Sequence, residues 1–446
     1  MAKKKACAAK ISVLPKEKQP FKIPNNWFWT DIASINRYSG TAVDPMKFPE
    51  TIYELYSVPS SANDFPEIIS GSEIGSSKQS VIKNDVLLCK INPRINRVWK
   101  VSQHTENELL ASSEWIVIRN QILNSDYMMF CFRTQFFREY MLSNVSGVGG
   151  SLMRAQPKFV KNYPIPIAPV AEQQRIVDRI ESIFAKLDEA KEKAQAVVDG
   201  FELRKSAILH KAFTGELTAK WRKLHGLDLK NWEYLKIGEF AQVKGGKRLP
   251  KGCSLVTQKT DHPYLRIADF GDNTIDKTDL HYITEDVFEQ IRSYIIKKED
   301  VYLSIVGTIG RAGVIPEELD GANLTENAAR IITNRTKPRY LCLFLSSPQT
   351  QENIKSRIRS ATLGKLSLLN IKDIDTPLPT VEEQLEIVRI INDLFEKESA
   401  AKEAAESVLD QIDTMKKAVL ARAFRGELGT NDPTEASAVE LLKSML

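Results

Sequence analysis

Short runs of cationic residues beside glycine, serine and threonine are the positions in this chain with the clearest chemistry. Lys244–Lys251 places four cations and two glycines in one short segment. Glycine lets a backbone N–H approach a phosphate closely, and lysine or arginine neutralises the phosphate charge. Because a protein that binds nucleic acid needs such donors on its loops, these runs predict contact with nucleic acid.

Comparable candidates occur in each half of the chain. Lys90, Arg94 and Arg97 flank the end of a predicted strand, and Gly149–Arg154 and Ser360–Lys365 each end in a cation after small hydrogen-bonding residues. A structural turn is the alternative interpretation of these loops, and a single lysine can equally be a solvated surface charge. The predicted DNA-contacting residues are Lys90, Arg94, Arg97, Ser151, Arg154, Lys244, Lys247, Arg248, Thr308, Arg311, Thr362 and Lys365.

No catalytic centre or metal site is recognisable in the sequence. A Walker-type loop, a Gly-x-Ser-x-Gly elbow and a Cys-x-x-Cys pair are missing, and the five histidines lack metal-ligand spacing. Gly307, Gly310 and Gly313 could form a phosphate cradle or, as we favour, a tight turn. Ile91–Ile95 has only part of the Asn-Pro-Pro-aromatic motif of amino-methyltransferases. Two alternatives stay open: a nuclease or methyltransferase with an unrecognised motif, and a scaffold that does not read DNA.

An internal repeat organises the chain. Residues 166–217 match residues 377–428 at a constant offset, with roughly 23 of about 52 positions identical. Both copies end alike, as Ala212–Leu217 and Ala423–Leu428. The chain is therefore two half-units in tandem, each a variable globular part followed by a shared segment.

Each shared segment is predicted to be a long helix. Its apolar residues alternate in steps of four and three, which is the 3.5-residue period of a coiled-coil seam. Proline precedes and glycine follows each run, as helix boundaries prefer. Since neither helix can bury its stripe alone, we predict that the two pair antiparallel; two unrelated core helices are the alternative. The predicted pairing residues are Ile176, Ile180, Ile183, Leu187, Ile387, Ile391, Leu394, Val408 and Ile412, with Glu398 as the one breach.

The globular parts, about residues 23–165 and 228–376, are predicted to be mixed strand and helix, so the fold class is α+β. Short β-rich runs separated by turn residues recur in both parts. They include Val86–Cys89, Trp115–Ile118 and Val301–Ile305, and helical stretches are expected near Asp126–Leu142 and Tyr340–Ile358.

The composition, with 42% hydrophobic and 27% charged residues, is that of a globular protein. No stretch approaches the roughly 20 apolar residues that span a bilayer. The basic N-terminus lacks the apolar core of a signal peptide, and the five cysteines are far apart, so we expect a cytoplasmic protein with reduced thiols. The net charge of +5 permits an anionic partner. Outside the globular parts we expect a disordered basic tail at 1–22, shared helices at 166–213 and 377–428, a linker at 214–227 and a C-terminal tail at 429–446.

This alternation of variable part and shared helix resembles the specificity subunits of type I restriction–modification systems. Pro166–Val177 and, in altered form, Pro377–Val388 resemble the entrance to that family's conserved helices, and Ala-Phe-x-Gly-Glu-Leu resembles their exit. The departures are Thr380, where the first copy has Pro169, and the breach at Glu398. In the first half, one class of target-recognition domain is resembled by three segments: Lys90–Arg94, Leu110–Glu114 and Ser146–Arg154. In the second half, another class is resembled by Tyr264–Asp269, Leu303–Gly310 and Asn323–Arg330.

The resemblance implies a non-catalytic DNA-specificity subunit. Each target-recognition domain would read one half of a split site in double-stranded DNA, and the paired helices would act as a spacer and as a dock for two modification (methyltransferase) subunits. Two restriction (motor-nuclease) subunits would complete the complex. S-adenosylmethionine, ATP and Mg²⁺ are expected on those partners, with no cofactor on this chain and no membrane. Because the two globular parts differ strongly in sequence, the two half-sites should differ, since a palindrome would need alike readers.

Overall fold

The computed structural model describes residues 12–147, 153–358 and 364–440. The chain divides into two compact units. The first unit comprises residues 1–194 together with 407–446, and the second unit comprises residues 195–406. Each unit therefore combines one globular part with segments of both shared helices.

The first unit is built on a three-stranded sheet of order β7-β6-β9 and a five-stranded sheet of order β2-β5-β8-β3-β4, with the small pairs β1-β12 and β10-β11 beside them. Its strands are β1 (Phe28–Asp31), β2 (Ala42–Val43), β3 (Ile52–Tyr56), β4 (Glu67–Ser70), β5 (Lys78–Ser80), β6 (Val86–Cys89), β7 (Val98–Lys100), β8 (Glu108–Ala111), β9 (Trp115–Ile118), β10 (Val145–Ser146), β11 (Arg154–Ala155) and β12 (Pro164–Ile167). Its helices are α1 (Ile32–Ile35), α2 (Ser125–Phe132), α3 (Gln135–Ser143), α4 (Pro157–Val160) and most of α5 (Val170–Asp199).

The second unit contains a four-stranded sheet of order β14-β20-β17-β18, a three-stranded sheet of order β16-β15-β19 and the pair β13-β21. Its helices are α6 (Phe201–Phe213), α7 (Ala219–Leu224), α8 (Ile237–Phe240), α9 (Glu285–Ile291), α10 (Pro338–Leu345), α11 (Pro348–Ser356), α12 (Leu368–Lys372) and the first part of α13 (Val381–Ala423). Its strands are β13 (Glu233–Lys236), β14 (Gln242–Gly245), β15 (Pro263–Leu265), β16 (His281–Tyr282), β17 (Val301–Ser304), β18 (Ala312–Val314), β19 (Asn323–Leu324), β20 (Ala328–Ile332) and β21 (Asp375–Leu378).

The α+β prediction is confirmed. The predicted strands Val86–Cys89 and Trp115–Ile118 are β6, the central strand of its sheet, and β9, one of the two edge strands, and their apolar side chains are almost all buried. The expected helical stretch near Asp126–Leu142 is two helices, because Thr134 interrupts it and its hydroxyl accepts from the backbone N–H of Phe137 at the start of α3.

The shared helices pair antiparallel, and each unit shows one end of that pairing. In the first unit, Ile176 and Ile180 at the start of α5 share a core with Leu420 and Phe424 at the end of the second shared helix. In the second unit, Ile387 and Ile391 at the start of α13 share a core with Leu209 and Phe213 of α6. The start of each shared helix therefore packs with the end of the other, as an antiparallel pair requires.

The other predicted pairing residues are less uniform. Ile183, Leu187 and Leu394 are partly buried. Ile412 is only 2% exposed, whereas Val408 is 40% exposed and departs from the prediction. The partly buried Leu409 takes its place. A straight helix of 3.6 residues per turn drifts away from a strict 3.5-residue stripe over 43 residues, so the buried positions shift by one.

The breach at Glu398 has a structural partner. Its carboxylate accepts from Nε of Arg204 at 2.6 Å, and another nitrogen of the same guanidinium donates to the carbonyl of Val197 at 2.8 Å. Gly200 lies beside this guanidinium and separates α5 from α6. The prediction of one unbroken helix over 166–213 is therefore wrong, and its start is also late, because Pro166 and Ile167 belong to strand β12 and the helix begins at Val170.

The repeated Glu-Gln pair at the start of each shared helix forms a buried anchor. Trp27 donates to Glu172 at 2.7 Å, and Trp232 donates to Glu383 at 2.9 Å. Glu383 also accepts from Arg222 at 2.6 Å. Each carboxylate thus fixes its globular part to the helix that follows it, which explains why both copies keep the same residues.

Three predicted boundary segments are more ordered than expected. Within the expected tail at 1–22, Leu14 donates to the carbonyl of Trp29 at 2.8 Å, so residues 12–22 lie on the first unit. The expected linker at 214–227 contains α7 and the buried Arg222. In the expected C-terminal tail, the Glu435 carboxylate pairs with both terminal nitrogens of Arg175 at 2.8 Å. Residues 1–11 and 441–446 lie outside the described residues.

Candidate nucleic-acid interface

Most of the predicted DNA-contacting residues lie at one end of the central sheet in each unit. In the first unit, β6 ends where β7 and β9 begin, and the loops 90–97 and 112–114 meet residues 153–155 there. In the second unit, β14 and β17 end where β18 and β20 begin, and the loops 246–248, 305–311 and 325–327 meet residues 364–366. We call these loop sets the first cationic edge and the second cationic edge.

Three backbone hydrogen bonds frame the first cationic edge. Cys89 donates to the carbonyl of Arg97 at 3.1 Å, which closes the loop between β6 and β7. Lys90 donates to the carbonyl of Glu114 at 2.9 Å. The carbonyl of Lys90 accepts from Ala155 at 2.9 Å, so Arg154, the preceding residue, lies beside Lys90.

The second cationic edge has the same three bonds. Ser304 donates to the carbonyl of Arg311 at 2.9 Å, and Ile305 donates to the carbonyl of Asn327 at 2.8 Å. The carbonyl of Ile305 accepts from Leu366 at 3.0 Å, which places Lys365 beside this loop. The predicted equivalence of Arg154 and Lys365 therefore has a matching hydrogen-bond frame. The frame also makes Arg97 equivalent to Arg311, a relation that the sequence comparison missed because the intervening loops differ in length.

The Lys244–Arg248 run reaches the second cationic edge along β14. Gly246 donates to the carbonyl of Ala328 at 3.0 Å and Lys247 donates to that of Leu324 at 2.8 Å. A Cβ atom on Gly246 would clash with the carbonyl oxygens of Leu324 and Thr325, so this close approach requires glycine. Lys244, Lys247 and Arg248 are exposed around it, where they can meet an anion.

The glycine run beside Thr308 is a tight turn, as favoured over a phosphate cradle. Gly307 and Gly310 have φ angles of +74° and +91°, which suit glycine. Gly310 donates to the carbonyl of Ser304 at 3.0 Å, and the Ser304 hydroxyl donates to the carbonyl of Thr308. The turn therefore uses its own backbone groups and presents Thr308 and Arg311 at the surface.

Each edge also carries a carboxylate that the sequence reasoning did not select. Glu114 accepts from Nε of Arg154 at 3.3 Å, and Glu326 accepts from Nε of Arg248 at 2.7 Å. Burial would raise the pKa of Glu326, but the hydrogen bond from Arg248 and others outweigh it, so the pKa lies below its usual value. Both edges therefore place an acidic acceptor among the cations.

Lys90 and Arg97 are partly buried, and Arg94 and Arg154 are exposed. Ser151 and Thr362 lie outside the described residues, so the structure does not place them. The sequence reasoning also missed Arg133, Arg138 and Lys417, which line a cavity together with Arg97. These residues come from three separate segments, and no local pattern joins them.

Other kinds of site do not emerge from the part of the chain that the structure describes. There, no three His, Cys, Asp or Glu side chains come together as a metal site would require. Within the same ranges, no helix combines the length and apolar character needed to cross a bilayer.

Comparison with known proteins agrees with this architecture. Residues 36–198 and 229–408 each match the type I restriction modification DNA specificity domain. The EcoBI specificity subunit of Escherichia coli is 24% identical over 339 residues, which cover 72% of this chain and 71% of that protein. The EcoKI specificity subunit of Escherichia coli (strain K12) is 26% identical over 318 residues, which cover 69% and 66%.

Solved structures share the fold. The HsdS subunit from Thermoanaerobacter tengcongensis has a TM-score of 0.67 at 20% identity, covering 92% of this chain and 99% of that one. A chain from a structure that addresses complex assembly and conformational transition of the type I R-M system has a TM-score of 0.68 at 21% identity, covering 92% and 100%.

Two tandem α+β domains, each followed by a long shared helix, are the architecture of a DNA-specificity protein. The two domain matches span well over half of the chain, and the chain therefore belongs to the type I restriction–modification specificity-subunit family.

Proposed function

We propose that this chain reads a bipartite, asymmetric DNA site, with the first cationic edge on one half-site and the second cationic edge on the other. The observation that carries the proposal is the repeated frame of three hydrogen bonds, which presents different side chains in the two domains. In this frame Arg154 of the first domain occupies the position of Lys365 in the second, and Lys90 occupies that of Ile305. Because base readout depends on the few side chains that reach the groove, unlike side chains on one frame favour unlike half-sites.

The chain acts in this proposal as the non-catalytic member of a larger complex. The paired helices dock two modification subunits and hold the two readers at a set spacing, and two restriction subunits join them. Those partners supply S-adenosylmethionine, ATP and Mg²⁺ and carry out the chemistry. The support is the family membership, together with the length of the two shared helices.

The test is to sequence methylated positions in a host that carries the chain with its partner subunits. Arg154→Ala should weaken recognition of one half-site and Lys365→Ala that of the other, each by on the order of 1–3 kcal/mol if the side chain reaches a base. Each variant controls for the other, since both remove one exposed cation from the same position of the frame. Unchanged methylation in both variants would contradict the assignment of these residues. Methylation without any sequence preference in the unmodified complex would favour a scaffold and overturn the proposed function.

A further inference from the structure

A cationic cavity lies beside the first cationic edge and is not part of the predicted reading loops. Its volume is about 380 Å³. Four of the residues that line it are cations, namely Arg97, Arg133, Arg138 and Lys417, and the other described lining residues are neutral. The cations come from the loop before β7, the junction of α2 with α3, and the second shared helix, so the fold collects them from distant parts of the chain.

The two guanidinium groups on α2 and α3 are held in place by backbone carbonyls. Arg133 donates through Nη2 to the carbonyl of Val98 at 3.0 Å, and Arg138 donates through Nη2 to the carbonyl of Arg94. An arginine carries five N–H donors, so each guanidinium keeps further donors after its bond to a carbonyl. Because four cations and no carboxylate are among the described lining residues, the cavity favours an anion.

The chemistry of the cavity selects phosphate on a nucleic-acid backbone. Arginine presents its N–H groups in a planar fork that matches phosphate oxygens. The turn at Arg94–Arg97 belongs both to the first cationic edge and to the cavity, because Arg138 bonds Arg94 and Arg97 lines the wall. A DNA strand bound along the edge would therefore lie next to the cavity.

We propose that this cavity binds a backbone phosphate of the DNA next to the first half-site, in a contact that adds affinity without reading sequence. The inference rests on the proposed function, since it needs DNA on the first cationic edge. An acidic segment of a partner protein is the competing occupant, and the experiment separates the two.

The second domain has a cavity at the equivalent position, but that cavity lacks the cluster of cations. Tyr127 and Tyr340 make the same hydrogen bond, to the carbonyls of Pro166 at 2.9 Å and Pro377 at 2.8 Å, which aligns α2 and α3 with α10 and α11. In this alignment Gln351 replaces Arg138 and donates to the carbonyl of Gly310 at 2.8 Å. The cavity there, about 640 Å³, is lined by Asp272 and Asp276, and Arg311 is the one cation among its described lining residues. The phosphate contact is therefore expected on the first domain alone.

The experiment measures DNA affinity against salt concentration for the full chain in complex with its modification subunits. The probes are one duplex that contains the recognised site and one that lacks it. Arg138→Gln copies the second domain, Lys417→Gln removes a cation from an exposed position of α13, and Lys161→Gln removes an exposed cation of the same domain outside the cavity. Each phosphate contact contributes about 0.9 to the slope of log K against log salt.

Arg138→Gln and Lys417→Gln should each lower that slope by about 1 on both duplexes, while the methylated sequence and the Lys161→Gln slope stay unchanged. Because Lys417→Gln leaves the hydrogen bond from Arg138 to Arg94 intact, it also keeps the test valid if Arg138→Gln unfolds. Wild-type slopes in both variants, with specific binding retained, would overturn the cavity assignment and leave the proposed function standing. Weakened binding of the modification subunits at an unchanged slope would also overturn it, in favour of an acidic protein segment. Failure of the unmodified complex to prefer its site would instead count against the proposed function.

Discussion

In the first recognition domain Arg138 reaches from α3 to a loop carbonyl of the cationic edge, and in the second Gln351 reaches from α11 to the equivalent loop. In both domains a tyrosine of the preceding helix makes the same hydrogen bond, from Tyr127 to the carbonyl of Pro166 and from Tyr340 to that of Pro377. The two cavities differ in the charge of their lining residues, because four cations line the first, whereas two aspartates and Arg311 line the second. The shared hydrogen-bond frame therefore determines where a side chain lies in each domain, and the residue type at that position determines what the domain can bind there.

The largest difference between the two units is expected at the buried carboxylates. Glu383 is bonded to the buried Arg222, so Glu383→Gln leaves that cation without its counter-charge, at a cost of about 3–5 kcal/mol. Glu172 accepts instead from the neutral donors Trp27 and Asn431. Glu172→Gln should therefore cost less, roughly 1–3 kcal/mol.

Urea denaturation of the full chain, followed by circular dichroism, measures both losses in the free energy of unfolding. Glu382→Gln, which changes an exposed neighbour of Glu383, serves as the control and should stay within about 0.5 kcal/mol of the unmodified chain. Equal losses for Glu172→Gln and Glu383→Gln would show that the buried Arg222 is not what distinguishes the two anchors.

A second comparison lies within the second shared helix. Ile412 is 2% exposed and Val408 is 40% exposed, although both were predicted to pair. Ile412→Ala should lower the free energy of unfolding by roughly 2–4 kcal/mol because it leaves a buried cavity. Because Val408 is an exposed position, Val408→Ala should cost less than about 1 kcal/mol. Thermal unfolding of the two variants checks this order, and a larger loss at Val408 would restore the strict 3.5-residue stripe.

The sequence was sufficient for features that repeat. The offset between the copies predicted the two half-units, and the apolar stripe predicted antiparallel helices, because each pattern extends over many residues and tolerates single exceptions such as Glu398. Arg154 and Lys365 were paired for the same reason, since each closes a loop of similar composition.

Features that depend on convergence could not be predicted in this way. The cavity joins Arg97, Arg138 and Lys417, which are separated by tens to hundreds of residues and share no pattern. The packing of residues 429–440 onto the first unit depends on single contacts such as Arg175 with Glu435. Gly200 carries no such pattern in the sequence, because its position beside the guanidinium depends on the path of the Arg204 side chain.

The smallest expected effect concerns the acidic acceptors on the two edges. Glu114 and Glu326 each pair with an arginine at the surface, and such pairs contribute only about 0–1 kcal/mol to stability. Glu114→Gln and Glu326→Gln each remove a negative charge that repels phosphate and release Arg154 or Arg248. We therefore expect DNA without the recognised site to bind a few-fold more tightly to either variant, with the methylated sequence unchanged. A carboxylate can also accept a hydrogen bond from the amino group of a base, and in that case its loss would impair one half-site. Methylation sequencing together with the affinity measurement separates the two roles. If recognition of a half-site is lost in one variant alone, the glutamate changed in that variant contacts a base. The two edges would then differ in the role of their carboxylates as well as in their cations.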